Sequence, residues 1–157
     1  MHKPKLRALF HPPKFYANES FSRQPFMNHL GAKVEAADTG TVSIGLALRP
    51  ELTQQHGFAH GGVIASLADT AASYCAMTTM REEGSLLTIE FKVNFMKPGK
   101  GQKLRAEGRT ISPGRTITTT ECAVFAIDEG TETLIAKMQA TIMCLPGRPD
   151  NSAVRSG

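Results

Sequence analysis

One long apolar segment, residues 61–80, does most to limit what this 157-residue chain can fold into. After Gly62 the segment contains neither proline nor glycine, and its apolar or small residues fall on every side of a helical wheel. Twenty residues rise about 30 Å as a helix, and this length favours a helix over a strand. We therefore predict a long helix that is surrounded by the rest of the fold.

The segments on either side of this helix show the alternation of polar and apolar residues that is typical of strands. Strands are predicted over residues 32–37, 41–49, 87–96, 103–111, 116–128 and 133–145. The turn sequence Asp38-Thr39-Gly40 joins the first two as a hairpin, and within residues 87–96 odd and even positions point to opposite faces. The predicted class is α+β, with an antiparallel sheet of about six strands curled around one long central helix.

The length and composition fit one globular domain with two less regular ends. Hydrophobic residues make up 41% of the chain and charged residues 20%, so a domain at residues 26–145 can bury its own core. Four prolines in residues 1–25 predict an irregular basic arm with room for one short helical turn, and residues 146–157 read as a flexible tail. No apolar run reaches the ~18 residues of a membrane span, and a cytoplasmic protein is expected.

The three cysteines predict neither a metal site nor a disulfide. Cys75, Cys122 and Cys144 stand 47 and 22 residues apart, which fits no zinc or redox pair. Cys75 lies in the apolar segment, and the other two lie in predicted strands. We expect all three to be small residues of the core.

Positive charge is concentrated in one part of the sequence. The whole chain carries a formal charge of +4, whereas residues 97–115 contain six basic residues and one acidic residue, a local charge of +5. This basic stripe either meets an anionic partner, such as a phosphate-bearing small molecule, or forms a solvated outer face. The short, proline-broken N-terminal arm cannot supply a helix-turn-helix, so no nucleic-acid partner is expected.

The sequence His60-Gly61-Gly62 at the start of the predicted helix is the strongest functional signal. Two adjacent glycines let a ligand approach the backbone, and the first helical turn carries unpaired N–H groups that can bind an anion or a developing oxyanion. His60 either fixes the shape of this loop or transfers a proton. His56 and His60 have the spacing of a helical metal pair, but Gly57 intervenes in a loop and no third ligand follows, so no metal is expected.

Asp69 is the charged residue in the middle of the predicted helix. Its neighbours on the helical wheel are all small, so a ligand or another chain can approach closely; they are Ala65, Ser66, Ala72 and Ser73. Burying an unpaired charge costs roughly several kcal/mol or more, so an ionised carboxylate here needs partners or a function. Asp69 is either satisfied by hydroxyls or backbone donors, or it acts on a substrate.

Together these residues resemble a known family. His60-Gly61-Gly62 followed by Ser66-Leu67-Ala68-Asp69-Thr70-Ala71 is similar to the signature of hotdog-fold acyl-CoA thioesterases, in particular the PaaI-like branch of phenylacetate degradation. Residues 88–98 and 108–116 resemble the later strands of that family. The resemblance spans residues 26–145, and the hotdog fold agrees with the helix-in-sheet layout that the sequence pattern predicts.

The resemblance implies a role for each matching residue. Asp69 would be the general base or the nucleophile toward a thioester, and the backbone N–H groups near Gly61 and Gly62 would be oxyanion donors. Gln54 stands where relatives carry an asparagine, and Thr88 stands where some members carry an assisting hydroxyl. No metal or organic cofactor is implied, since coenzyme A is part of the substrate.

The expected function is hydrolysis of small, medium or aromatic acyl-CoA thioesters to a free acid and CoA. Residues expected to contact the substrate are Phe58, Asn94, Lys97, Arg109 and Arg115, while Tyr74, Met77, Met80 and Phe95 either line an apolar pocket or fill the core. The resemblance implies a homodimer or homotetramer whose sites lie between two subunits. Two alternatives on the same fold stay open: a non-catalytic acyl-CoA-binding module, and an enoyl-thioester hydratase that pairs His60 with Asp69.

Overall fold

The computed structural model describes residues 13–80 and 84–148, which form an antiparallel sheet packed against one long helix. The strands are β1 (Lys33–Asp38), β2 (Thr41–Ala47), β3 (Gly84–Phe95), β4 (Lys103–Ser112), β5 (Ile117–Asp128) and β6 (Thr131–Pro146). The helices are α1 (Pro13–Phe21), α2 (Pro25–Leu30) and α3 (Gly61–Met77), with a short 3₁₀ turn at Pro50–Leu52. The strand order β1-β2-β4-β5-β6-β3 leaves β1 and β3 at the edges of the sheet. The predicted α+β layout of six strands around one helix is confirmed.

Helix α3 lies on the inner face of the sheet and supplies much of the core. Ten of its seventeen residues are buried, which agrees with the apolar character of every side of its wheel. The helix comes very close to β4 at Gly108, where a Cβ atom would overlap the backbone carbonyl of Ala71. A glycine is needed at this contact because any side chain would push the helix away from the sheet.

Strand β3 does not alternate regularly along its whole length. Its pairing with β6 shifts between Thr88 and Glu90, and such a bulge adds one residue to a strand. Thr88 and Phe91 therefore both lie opposite buried, inward-facing residues of β6. The strict alternation predicted over residues 87–96 is wrong, because the extra residue places Thr88 on the same side of the strand as Phe91.

Residues 13–30 form two helices, whereas the sequence predicts an irregular arm over residues 1–25 with room for only one short helical turn. Pro13 and Pro25 each begin a helix, a position where proline lacks only an N–H that would be unpaired anyway. The two helices pack on the main core through buried side chains, namely Ala17, Phe21, Met27 and Leu30. Prolines thus start these helices instead of interrupting them. The remainder of the predicted arm, residues 1–12, lies outside the described residues.

The outer face of the sheet, away from α3, carries charged side chains in pairs. Arg105 donates to Glu107 at 2.9 Å and to both carboxylate oxygens of Glu132, and its guanidinium lies 5.2 Å from the centre of the Phe125 ring. Lys103 pairs in the same way with Glu35 of β1. These cations of the basic stripe are therefore already balanced within the chain.

The C-terminal end of the described chain follows β6. Of the predicted tail, residues 146–148 are described and residues 149–157 lie outside the described residues. In the part of the chain that the structure describes, no helix is both long enough and apolar enough to cross a membrane.

Candidate active site

Helix α3 begins at a turn that is capped by His60. The backbone of His60 is extended (φ −64°, ψ 136°), and its Nδ1 atom accepts a hydrogen bond from the N–H of Gly62 at 2.9 Å. His60 thus fixes the start of the helix and occupies one of its donors.

Gly61 presents a free donor at the start of the helix. Its N–H has no acceptor among residues 13–80 and 84–148, whereas the N–H groups of the next three residues all donate to His60. The positive end of the helix dipole strengthens the attraction between this N–H and a negatively charged oxygen. The ring of Phe95 lies beside Gly61, 3.5 Å from where a Cβ atom would stand. Of the two predicted oxyanion donors, Gly61 is the available one.

Asp69 lies two turns further along α3 and accepts a hydrogen bond from one hydroxyl group, which a second hydroxyl group supports. The Thr88 hydroxyl donates to Asp69 Oδ1 at 2.7 Å, and Ser73 Oγ lies 3.1 Å from Thr88 Oγ1. Because Thr88 has a single hydroxyl proton and directs it to Asp69, the hydrogen bond between the two hydroxyls must be donated by Ser73. The β3 bulge that turns Thr88 inward is what makes this chain of hydrogen bonds possible.

The environment of Asp69 favours a reactive carboxylate. Burial raises the pKa of Asp69 above its ordinary value of 3.8, while the Thr88 hydrogen bond lowers it to a smaller extent. Asp69 forms no ion pair with any residue that the structure describes. A carboxylate of this kind accepts a proton, or attacks a carbonyl, more readily than one that is neutralised by a neighbouring cation.

A cavity of about 330 Å³ lies beside Asp69. Its walls come from one side of α3, the first part of β3 and the connection between α1 and α2; the lining residues are Gln24, Asp69, Thr70, Ser73, Tyr74, Met77, Leu86, Leu87 and Thr88. Small-molecule sites have volumes of roughly 300–1,000 Å³, so this cavity can hold part of a small ligand. A larger groove of about 560 Å³ lies on the outer face, but the Asp69 carboxylate does not line it.

Gln54 and Phe58 lie in the loop that leads to His60. The Gln54 N–H donates to the Phe58 carbonyl at 2.9 Å, and Gln54 Oε1 accepts the N–H of His56 at 2.6 Å. The side-chain oxygen of Gln54 is therefore used within the turn, and its NH₂ group donates no hydrogen bond that the structure describes. The structure brings both predicted residues to the start of α3, with no described hydrogen bond from either to Asp69.

Two predicted substrate contacts, Arg109 and Asn94, lie on the outer face of the sheet. Arg109 donates to Glu121 of the neighbouring strand at 2.9 Å, and Asn94 lies opposite Lys137 of β6. Asp69 lies on the inner side, against Thr88. Within one chain, the structure therefore does not bring Arg109 and Asn94 together with the carboxylate.

Three cations of the basic stripe form no ion pair among residues 13–80 and 84–148: Lys97, Lys100 and Arg115. Lys97 and Lys100 flank Gly99, whose carbonyl accepts the N–H of Ala59 next to His60. These two lysines therefore stand beside the start of α3. Arg115 follows the far end of β4, a strand of ten residues that spans about 33 Å.

The cysteines take no part in this arrangement. All three are free thiols in the core, as predicted. Burial raises the pKa of Cys75 to about 12, so its thiol stays protonated near neutral pH and cannot serve as a nucleophile. In the described ranges, no cluster of three or more His, Cys, Asp or Glu side chains is arranged to hold a metal ion.

Comparison with known proteins identifies the family. The sequence profile of the Thioesterase superfamily matches residues 56–133, a range that contains His60, Gly61 and Asp69. The solved structure of a thioesterase family protein from Silicibacter pomeroyi is 39% identical, with a TM-score of 0.83 over 86% of this chain and 99% of that one. This chain belongs to the thioesterase superfamily.

Other relatives of this thioesterase agree with the assignment. A candidate esterase from Saccharolobus solfataricus is 31% identical over 124 residues, which cover 79% of this chain and 80% of that protein. The structure of the Escherichia coli PaaI protein from the phenylacetic acid degradation operon is 18% identical with a TM-score of 0.76, over 87% of this chain and 95% of that one, and shows a shared fold. At the level of the family, the chain is an acyl-thioester hydrolase with the hotdog fold, as the resemblance implied.

Two residues near the Asp69 carboxylate of this thioesterase were not predicted from the sequence to be functional groups. Ser73 was noted only for its small size, although a hydroxyl four residues after Asp69 on a helix is a detectable signal. Gln24 gives no local signal, because its contact with Tyr74 joins positions 50 residues apart.

Proposed function

We propose that this thioesterase hydrolyses acyl-CoA thioesters with small, medium-sized or aromatic acyl groups to the free acid and CoA. The observation that carries the proposal is the combination on one helix of a cavity-lining carboxylate, Asp69, with a backbone N–H at Gly61 that has no acceptor among residues 13–80 and 84–148. A thioester needs little activation beyond a donor at its carbonyl oxygen and a base for water. This chemistry requires neither a metal ion nor an organic cofactor.

Asp69 can act by either of two routes, and both require its ionised form. As a general base it takes a proton from the water that attacks the carbonyl carbon, and the oxyanion forms at the Gly61 N–H. The C–S bond then breaks, and the CoA thiolate recovers the proton from Asp69. As a nucleophile, Asp69 first displaces CoA to form an acid anhydride, which water then hydrolyses.

The two groups lie too far apart in one chain to act on the same carbonyl. Eight residues separate Gly61 from Asp69, which corresponds to about 12 Å along the helix axis. Catalysis requires the reacting atoms to lie within about 3–3.5 Å of one another and the donor within about 3 Å of the oxyanion. We therefore propose that Asp69 of one copy and Gly61 of a second copy form each site.

The edge strand β3 supports pairing between two copies. Its exposed apolar side chains are Leu87, Ile89, Phe91 and Phe95, with exposed fractions of 58%, 50%, 42% and 53%. An open edge strand with apolar side chains readily associates with another strand. A twofold dimer through β3, alone or doubled into a homotetramer, would cover this edge and bring two α3 helices together.

Lys97 and Lys100 support the binding of the CoA phosphates. Both lie beside the start of α3 and are free of ion pairs among the described residues, so they can meet an anionic group near the thioester. Arg115 lies at the far end of β4, so it would join the same site only from the second copy. Arg109 is engaged with Glu121 and would have to exchange this partner for a phosphate.

The direct test is turnover of a panel of acyl-CoA thioesters, followed by the release of free thiol. We predict that the Asp69→Ala variant loses roughly 10²–10⁴-fold in kcat, the usual contribution of a positioned acid–base group. Asp128→Ala, which removes an exposed carboxylate at the β5–β6 turn, serves as the matched control and should retain wild-type rates.

Three outcomes would contradict this proposal. An Asp69→Ala variant that hydrolyses thioesters as fast as the wild type would remove the assigned role of the carboxylate. Tight binding of CoA esters without turnover would indicate the non-catalytic module. Hydration of enoyl-CoA in the same assay, without thiol release, would indicate the hydratase.

A further inference from the structure

The cavity beside Asp69 runs along one side of α3 toward the C-terminal end of the helix. Ser73 and Met77, spaced by one helical turn, continue the wall that begins at Asp69. Leu86 of β3 forms part of the opposite wall. The cavity therefore extends away from the carboxylate in the direction that an acyl group could take from a carbonyl held at Asp69.

Among the described residues, Gln24 is the one lining residue that comes from the segment before β1. It lies in the connection between α1 and α2, and its Nε2 atom donates to the Tyr74 hydroxyl at 2.9 Å. Tyr74 follows Asp69 by five residues, which is about 7.5 Å along the helix. Gln24 thus lines the cavity about 7.5 Å along the helix axis from Asp69, where the thioester carbonyl is proposed to bind.

A buried hydrogen-bond network fixes this part of the wall. The Tyr74 hydroxyl also bonds with Ser20 Oγ of α1 at 2.9 Å, and the Tyr74 ring packs edge-on against Phe21 with centroids 5.7 Å apart. Tyr74 is only 3% exposed. Since Gln24 is tied to a buried side chain, its position is set by the packing of α1 and α2 on the core.

We propose that Gln24 determines the acyl specificity of this enzyme by narrowing the acyl pocket beside Tyr74 and so limiting the length of the acyl group that fits. The inference rests on the proposed function, because it assumes that a thioester carbonyl binds at Asp69. Gln24 touches the acyl group far from the reacting atoms, so it sets which substrates fit and takes no part in bond making or breaking.

The test compares kcat/KM for straight-chain acyl-CoA thioesters of increasing length, from acetyl to palmitoyl, among four proteins. Gln24→Ala enlarges the pocket and should raise kcat/KM about ten-fold for the first chain that the wild type disfavours. Gln24→Phe fills the pocket and should lower kcat/KM about ten-fold for the longest chain that the wild type accepts. Asn28→Ala removes an amide on the same segment that bonds to the Ser22 carbonyl and does not line the cavity, so its profile should match the wild type.

The opposite directions of the two Gln24 variants separate a change of pocket size from a loss of folding. Identical length profiles for all four proteins, or shifts in the same direction for Gln24→Ala and Gln24→Phe, would overturn this inference and leave the proposed function intact. Absence of turnover by the wild type with every thioester would instead overturn the proposed function, and this inference with it.

Discussion

At the scale of single residues, the site depends on how one carboxylate is kept both buried and ionised. Burial raises the pKa of Asp69, and the hydroxyl of Thr88 works against this effect. Ser73 in turn donates to Thr88, which directs the Thr88 proton at Asp69. The two hydroxyls therefore keep the carboxylate available at a lower pH than burial alone would allow.

We predict that Thr88→Val moves the acidic limb of the activity profile to higher pH. Activity requires ionised Asp69, so kcat/KM falls as the pH drops through the pKa of this group, which lies above 3.8 in the folded protein. Loss of the hydroxyl removes the interaction that lowers this pKa, so the fall begins at a higher pH. The measurement is a pH profile of kcat/KM for both proteins with one acyl-CoA substrate.

Ser73→Ala is the matched control for this profile, because it removes a hydroxyl that reaches Asp69 only through Thr88. Its acidic limb should move less than that of Thr88→Val. Coincident profiles for Thr88→Val and the wild type would contradict the assigned role of Thr88.

We predict that Asp69→Asn stabilises the folded protein at neutral pH. The folded-state pKa of Asp69 is raised, so ionisation of the carboxylate costs more in the folded than in the unfolded chain. The free energy of unfolding of the wild type therefore falls as the pH rises from about 3.8 through the raised pKa. Asparagine does not ionise, so the free energy of unfolding of the variant does not fall for this reason. Denaturant unfolding at a series of pH values should show a higher free energy of unfolding for Asp69→Asn than for the wild type at neutral pH. This difference should disappear at the acidic end of the series. A difference in the free energy of unfolding that is the same at every pH would contradict the raised pKa of Asp69.

At the scale of secondary-structure elements, the start of α3 is built so that one N–H stays free. The His60 side chain accepts the N–H of Gly62, and the His60 carbonyl accepts the next two N–H groups, which leaves the Gly61 N–H without an acceptor among the described residues. The loop before His60 is fixed by its own backbone hydrogen bonds and by Gly99, so the free donor has a defined direction.

We predict that Gly61→Pro lowers kcat by about 10²–10³-fold, the usual effect of removing one oxyanion donor. Gly61 is the first helical residue, where proline is well tolerated, and His60 already has the extended backbone that a following proline requires. The variant should therefore fold normally while lacking the N–H. Gly61→Ala keeps the N–H and meets Phe95 only at an ordinary contact distance of 3.5 Å, so it should stay active. Equal kcat values for the two variants would contradict a role for this donor.

Periodicity predicted the elements well, because burial repeats along the chain with the period of each element. The apolar residues around α3 and the alternation of β2 and β4–β6 are examples. The β3 bulge was missed because it depends on which residues of β6 pair with it. Helices α1 and α2 were missed because their stability comes from contacts with distant residues such as Tyr74.

The sequence predicted the relative positions of the candidate residues better near α3 than elsewhere. His60, Gly61 and Asp69 belong to one short segment, so their relative positions follow from helix geometry alone. The choice of Gly61 over Gly62 as the free donor required the side-chain position of His60. Arg109 was expected at the substrate, and its partner Glu121 becomes apparent only when β4 and β5 are paired.

At the scale of the whole molecule, one chain contains both proposed catalytic groups, Asp69 and the Gly61 N–H, but holds them apart. The separation of about 12 Å along α3 is fixed by the helix and cannot be closed by local motion. The exposed apolar edge of β3 offers a surface on which a second copy can bind. The proposed activity is therefore a property of an assembly, with each copy supplying one group to each of two equivalent sites.

Complementation between two inactive variants tests this account most directly. Asp69→Ala and Gly61→Pro chains, each with a different affinity tag, are produced together, and the mixed dimer is purified through both tags in turn. In the mixed dimer one site lacks both groups, while the other has an intact Asp69 and an intact Gly61 N–H. We predict about half of the wild-type kcat per dimer, because one of the two sites of a twofold dimer is complete. A mixed dimer no more active than either parent variant would contradict the shared site.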